Sequence, residues 1–272
     1  MLFDSHTHLN NEGYTEAQRE ALASEIEASD VSYVVDVGFN LESSALAVRH
    51  TEKYSWCYAA VGFHPHEAKE MDELGLALIK NLARKPKVKA IGEIGLDFHY
   101  DHSPRDVQRE CFRQQIRLAN ELRMPIVVHS READQEVLNI LKEEQAFSKE
   151  RTGWFPPKQE GIPDARVLMH CFSGSSELAR QYVKLGGIIS IAGPITYKNA
   201  SKSVEVVRAL SISDLLIETD APYLSPEPYR GKKNRSSYVE YTARKIAEIK
   251  EMSYDEVVCI TCENAKRFYS IE

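Results

Sequence analysis

Six side chains able to bind metal ions or move protons stand where structure alone gives them little reason to be. His6 and His8 lie two apart in Asp4-Ser5-His6-Thr7-His8, so in an extended segment both imidazoles point to one face and can chelate. Glu93 sits within Ala90-Ile91-Gly92-Glu93-Ile94-Gly95-Leu96-Asp97, an apolar run in which a carboxylate must be paired, hydrogen-bonded or bound to a cation. His129 ends Ile126-Val127-Val128-His129, and His170 ends Val167-Leu168-Met169-His170. Asp220 follows Glu218 by two, so both acids can face inward. Singly, each has an ordinary explanation: an ion pair for an acid, a satisfied core position for a histidine. Six such groups on one rim are hard to hold together without cations. Six ligands exceed one tetrahedral site, so two divalent ions are expected. Glu93 would bridge them, with His6, His8 and Asp220 around one and His129 and His170 around the other. Imidazole-rich surroundings suit zinc, manganese or iron, whereas magnesium prefers oxygen. Two such ions about 4 Å apart would activate water and stabilise a leaving oxygen, which is hydrolytic chemistry. Asp220 can take the water's proton, since its carboxylate has two oxygens.

What must position these groups is an alternation of short apolar runs with helical segments. Strands are expected over 2–6, 31–38, 57–62, 88–92, 125–129, 165–170, 187–191 and 215–220. Helices are expected over 16–29, 42–54, 67–84, 103–123, 238–250 and 264–268, the fourth with Ser103 as cap and Pro104 in its first turn. Eight strands alternating with helices define a closed parallel (β/α)8 TIM barrel, whose reactive groups gather at the C-terminal strand ends. The six candidate ligands fall at such ends. A chain of 272 residues suits one such domain, 1–272.

The loops add further candidates. In Gly62-Phe63-His64-Pro65-His66 the proline stiffens a turn carrying two histidines. His64 is expected to meet a phosphate or act as a further ligand, and His66 is the weaker candidate. His99 and His102 read as surface residues, and Lys198 as a solvated one. Arg230-Gly231-Lys232-Lys233-Asn234-Arg235 places four cations in six residues just after a ligand-bearing strand, which favours an anionic substrate held by Arg230, Lys232, Lys233 and Arg235. Residues 148–164, rich in Gly, Pro, Lys and Glu, read as an exposed insertion away from the ligand rim with no part in catalysis.

With 43% hydrophobic and 28% charged residues, the chain reads as an ordinary globular protein without a membrane segment. The start, Met1-Leu2-Phe3-Asp4-Ser5-His6, lacks the pattern of a signal peptide, so a cytoplasmic location is expected. Net charge of -7 argues against a nonspecific nucleic-acid coat, but not against an enzyme whose ions and basic loop meet phosphates. Five scattered cysteines are expected to be reduced, with Cys259 and Cys262 serving helix packing rather than redox chemistry. A monomer is the default.

His6-Thr7-His8, Gly62-Phe63-His64-Pro65-His66, Gly92-Glu93-Ile94-Gly95-Leu96-Asp97, Val128-His129-Ser130-Arg131, His170-Cys171-Phe172-Ser173-Gly174 and Glu218-Thr219-Asp220-Ala221-Pro222-Tyr223 together resemble the TatD family of metal-dependent deoxyribonucleases, in order and spacing over nearly the whole chain. The resemblance implies one barrel, two divalent cations and phosphodiester hydrolysis on DNA, often single-stranded and from the 3' end, with RNA an open alternative. It implies ligand roles for His6, His8, Glu93, His129, His170 and Asp220, and a substrate role near His64. There are two departures. Asn234 is followed by Arg235 and Ser236 where the family typically has Glu-Pro, and 148–164 is longer than usual. A rival is another hydrolase on the same barrel, acting on an amide, lactone or small phosphoester. Such enzymes often bridge their metals with a modified lysine, whereas this chain has Glu93. A degenerate barrel serving as a scaffold should lack ligands, and none is missing.

Overall fold

The computed structural model describes residues 1–158 and 161–272. Strands β1 (Leu2–Thr7), β2 (Val31–Val37), β3 (Cys57–Val61), β4 (Val88–Asp97), β5 (Ile126–Arg131), β6 (Val167–Met169), β7 (Ile188–Ile191) and β8 (Leu215–Ile217) pair in parallel and in chain order. The ring closes just beyond β8. There Asp220 N–H donates to His6 O at 2.9 Å and His8 N–H to Ala221 O at 2.8 Å. This is the expected (β/α)8 barrel. Its outer layer comprises α1 (Glu16–Glu27), α2 (Leu41–Lys53), α3 (Glu73–Ala83), α4 (Arg105–Leu122), α5 (Asp134–Glu143), the single turn α6 (Lys149–Thr152), α7 (Ser176–Lys184), α8 (Ser201–Ala209), α9 (Val239–Lys250) and α10 (Tyr254–Tyr269).

The strands are apolar because both faces are buried. Phe3, Val35, Val37, Ala60, Ala90, Val127, Leu168, Ile188 and Leu216 fill the interior together with Phe268 and Tyr269 of α10. Val34, Val61, Ile91, Val128 and Val167 pack outward against the helices. Simple alternation along β5 and β6 carries the inward face from Val127 to His129 and from Leu168 to His170. The β8 segment continues it from Leu216 to Glu218 and Asp220. In β1 and β4 alternation alone gives the wrong face. Phe3 is three residues from His6, and Ala90 three from Glu93. The pairing slips at both places: Asp4 and Thr7 face Val34 and Asp36, while Ile91 and Ile94 face Ile126 and Val128. Each slip inserts one extra residue, a bulge that turns His6, His8 and Glu93 toward the axis.

Several expectations are corrected. β4 runs on to Asp97 instead of stopping at Gly92, because Ile94 through Asp97 stay paired with β5. The expected helix over 67–84 divides into a 3-10 turn, Pro65–Glu70, and α3, because the Asp72 carboxylate accepts from Gly75 N–H and caps a new start. Ser103 does not cap α4. Its hydroxyl is drawn inward, donating to His66 O at 2.7 Å and accepting from Lys69 N–H. The last helix begins at Tyr254, well before 264. Within 148–164, residues 159 and 160 lie outside the described residues. The described part is not uniformly exposed. Arg151 is fully buried and donates to Ala165 O, Met124 O and Asn120 Oδ1, tying the segment beneath β5 and β6. Among the described residues, no helix is long and apolar enough to cross a membrane.

Candidate metal centre

The six candidate ligands converge at the C-terminal mouth of the barrel. His6 Nε2 and His8 Nε2 lie 3.2 Å apart. Glu93 Oε2 is 3.3 Å from the first and 3.7 Å from the second. Asp220 Oδ1 is 3.8 Å and 3.3 Å from the same two nitrogens. Ligands about 2.1 Å from a tetrahedral ion stand about 3.4 Å from one another, so these spacings match the edges of one coordination shell. The other Glu93 oxygen faces a second group. Oε1 is 2.8 Å from His129 Nδ1 and 2.7 Å from His170 Nε2, and those nitrogens are 3.4 Å apart. Glu93 therefore presents one oxygen to each set, the arrangement a bridging carboxylate requires.

The outer nitrogen of three rings has a partner that sets the tautomer. His8 Nδ1–H donates to Val37 O at 2.7 Å, leaving Nε2 with its lone pair toward the centre. Asp97 Oδ2 accepts from His129 Nε2–H at 3.2 Å, and Glu218 Oε1 accepts from His170 Nδ1–H at 3.2 Å and from Cys171 N–H at 2.7 Å. These bonds aim the remaining lone pairs of His129 and His170 at Glu93. Unprotonated nitrogens and carboxylate oxygens facing one another repel unless a cation or protons lie between them, so the donor set fits divalent ions. Gly95, at φ +150°, allows β4 to pass this close. A Cβ there would run into the His129 carbonyl.

Charge and burial oppose each other in this cluster. Burial pushes the Glu93 pKa up, but the imidazoles of His170, His64 and His129 outweigh it and hold the carboxyl well below the usual range. Asp220 is likewise lowered, its burial outweighed by His8, His170 and His6. Burial alone would lower His8, yet Asp220 and Glu93 lift it to about 9. His170 is raised well above its ordinary value against the same burial penalty, by Glu93 and Glu218. His6 is lowered by burial and by neighbouring His170.

His64 reaches the centre as well, its Nε2 3.4 Å from Glu93 Oε1. Its Nδ1 accepts from His66 N–H, so the neutral ring carries its proton on Nε2. Burial lowers its pKa to about 4. A neutral His64 can donate from Nε2 to an anion, and with Glu93 and His129 it also forms a group able to hold a cation. His66 donates from Nε2 to Asp97 Oδ2 at 2.8 Å. His99 and His102 are exposed, as expected. In the basic loop Arg230, Lys232 and Lys233 are exposed on the faces of Tyr197, Tyr229 and Tyr14. Arg235 is different. It pairs with Glu25 of α1 at 2.6 Å, which restrains the loop where the Glu-Pro turn is missing. Buried Asn234 donates to Thr219 O and Tyr223 O, fastening the loop to the Asp220 segment.

Sequence reasoning missed the orienting role of Asp97, although a signal existed: with Gly95 and Glu93 it shares one face of its stretch. Glu218, expected to face inward, proves to support His170. A network of buried Asp36 with His50 (2.7 Å) and Asn10 (2.7 Å), the latter also donating to Val37 O, carries no such local signal because its members are distant in sequence.

Fold and site together define a (β/α)8 barrel with a buried imidazole and carboxylate centre, suited to divalent ions, at its C-terminal mouth. The TatD related DNase family matches residues 3–270. The chain belongs to that family. It is 46% identical, over all of both chains, to the Bacillus subtilis protein YabD, described as an uncharacterized metal-dependent hydrolase. It is 34% identical to a Mycobacterium tuberculosis protein described as the uncharacterized metal-dependent hydrolase TatD, covering 99% of this chain and 98% of the other. Among solved structures, the TatD homologue YJJV of Escherichia coli K12 superposes with a TM-score of 0.87 at 26% identity, covering 100% of this chain and 98% of that one.

Proposed function

We propose that this protein is a metal-dependent hydrolase of phosphodiester bonds, acting on single-stranded DNA, or RNA, from the 3' end. The observation that carries this reading is the division of Glu93, whose two oxygens face two separate sets of nitrogen and oxygen donors. His6, His8 and Asp220 would hold one divalent ion with Glu93 Oε2, and His129 and His170 the other with Oε1. Bound there, two ions would lower the pKa of water and neutralise charge on a phosphodiester and its leaving oxygen. Asp220 would accept the water's proton, being ionised at neutral pH and the more open of the two acids, with 13% of its side chain exposed against 4% for Glu93. His64 would donate from Nε2 to a phosphate oxygen. The exposed cations Arg230, Lys232 and Lys233 would draw the phosphate chain to the mouth, a local counterweight to the net charge of -7. Family membership and relatives described as metal-dependent hydrolases support the same reading.

The test is cleavage of end-labelled single-stranded DNA by protein stripped of metal and then supplied with magnesium, manganese or zinc, beside Glu93→Ala. Shortening that needs metal and disappears in the variant is expected, with a ladder growing from the 3' end. If the strand stays intact while amides or lactones are turned over, the nuclease assignment fails. Retained strand cleavage by Glu93→Ala would remove the bridged pair of ions.

A further inference from the structure

Two half-exposed aromatic rings stand beside the centre. Of the seven exposed large hydrophobic side chains among the described residues, Tyr100, Tyr223 and Leu224 belong to the loops after β4 and β8. In a ring ordered β1 to β8, strands β4 and β8 are four places apart, so these loops face each other across the mouth. Tyr223 is 53% exposed, yet held at three points. Its N–H donates to Asp220 O at 2.9 Å, its carbonyl accepts from Asn234 at 2.7 Å, and its hydroxyl accepts from Asn11 at 2.9 Å. The ring packs edge-on against His8, 6.1 Å between centroids. Tyr100 is 50% exposed. Its N–H donates to the Asp97 carboxylate, and its ring lies beneath Arg131 at 4.7 Å and parallel to His102 at 5.6 Å.

A tyrosine that only had to stitch loops through its hydroxyl would not need to leave half its ring in water. A rigid, exposed ring beside a phosphate-binding centre is what an unstacked nucleobase requires, and nearby cations on tyrosine faces complete the combination used for single strands. We propose that Tyr223 and Tyr100 form two base-stacking subsites, one on each side of the phosphate at the centre. They would select strands whose terminal bases are unpaired, because paired bases have their faces covered. The inference rests on the phosphodiesterase reading and deepens it.

The experiment compares a tetranucleotide with one whose last two sugars lack bases, for the wild type, Tyr223→Phe, Tyr223→Leu and Tyr100→Leu, in metal-loaded protein. Removing a stacking ring should raise KM on the intact strand on the order of tenfold, with kcat little changed. Tyr223→Phe, which keeps the ring but loses the Asn11 bond, should raise KM on the intact strand much less than Tyr223→Leu, and on the baseless strand the differences between the proteins should disappear. If Tyr223→Phe is as damaging as Tyr223→Leu, the hydroxyl bridge matters and not the ring. If the leucine variants lose equally on both strands, bases are not what the rings touch. Binding by fluorescence anisotropy separates the two levels. Base-dependent binding that Tyr223→Leu abolishes, without cleavage, keeps the stacking and overturns the hydrolase reading. Cleavage indifferent to bases does the reverse, and absence of both overturns both.

Discussion

Asp97→Asn tests how far the centre depends on a residue that is not among its ligands. One carboxylate oxygen, Oδ1, accepts from the backbone N–H groups of His99 and Tyr100, at 3.0 and 2.9 Å. The other, Oδ2, accepts from His66 Nε2 at 2.8 Å and His129 Nε2 at 3.2 Å. Burial would raise the pKa of this carboxyl, but the bonds from His129, His66 and Tyr100 hold it well below its usual range, so it acts as a fixed anion. The asparagine amide can keep both backbone bonds through its oxygen. Its NH2 group must then face two ring N–H donors. His129 relieves that clash by moving its proton to Nδ1, the atom 2.8 Å from Glu93, and the lone pair offered to a cation is lost. Substituting such outer partners costs about 10–100-fold in metal affinity or activity, or roughly 1.4–2.7 kcal/mol. One ion of the proposed pair should bind as before, because His6, His8 and Asp220 do not touch Asp97, and the other should weaken by this factor. Titration of metal-stripped protein against a chromophoric chelator, with kcat measured alongside, reads both. Two ions bound with unchanged affinity, and turnover within about twofold of wild type, would refute the reasoning.

Metal affinity should rise with pH. His8 is raised from 6.5 to about 9, so the metal-free folded protein holds a proton there that an incoming cation must displace; affinity should climb up to tenfold per pH unit per proton released, until about pH 9. By the same sign, the stabilisation this proton brings to the metal-free protein is full below pH 6.5 and lost as pH rises through about 9, which denaturant titrations at several pH values would show. Gly95→Ala places a Cβ against the His129 carbonyl at a φ of +150°, so thermal unfolding should show a loss of about 2–4 kcal/mol or failure to fold; wild-type stability would mean β4 can shift away from β5. Neutralising Arg230, Lys232 and Lys233 should raise KM for a strand and reduce its salt slope by about 0.7 for each phosphate left without its cation, whereas Arg235→Gln, whose partner is Glu25, should leave the slope unchanged.

Much of the fold was legible in residues such as Val34-Val35 and Val127-Val128, because strands buried on both faces need apolar side chains throughout, and the helices between them force parallel pairing. The six ligand candidates were legible for a related reason. An imidazole or carboxylate at the end of an apolar run costs too much to sit there unpartnered, so His6, His8, Glu93, His129, His170 and Asp220 stand out by type and place. What sequence could not show was register. Counting two by two from Phe3 or Ala90 points His6 and Glu93 away from the axis, and only the bulges in the β1–β2 and β4–β5 pairings turn them inward. Partners distant along the chain were equally hidden. Arg235 lies 210 residues from Glu25, and Arg151, in a segment that read as exposed, is buried beneath β5 and β6. Sequence by itself determined which side chains could do chemistry and the alternation that delivers them to one rim, because periodicity and the cost of burying charge are local properties. Tertiary structure alone decided which oxygen of Glu93 meets which imidazole, and which carboxylates stand behind them, because those pairings depend on register and ring closure between strands that the chain keeps far apart.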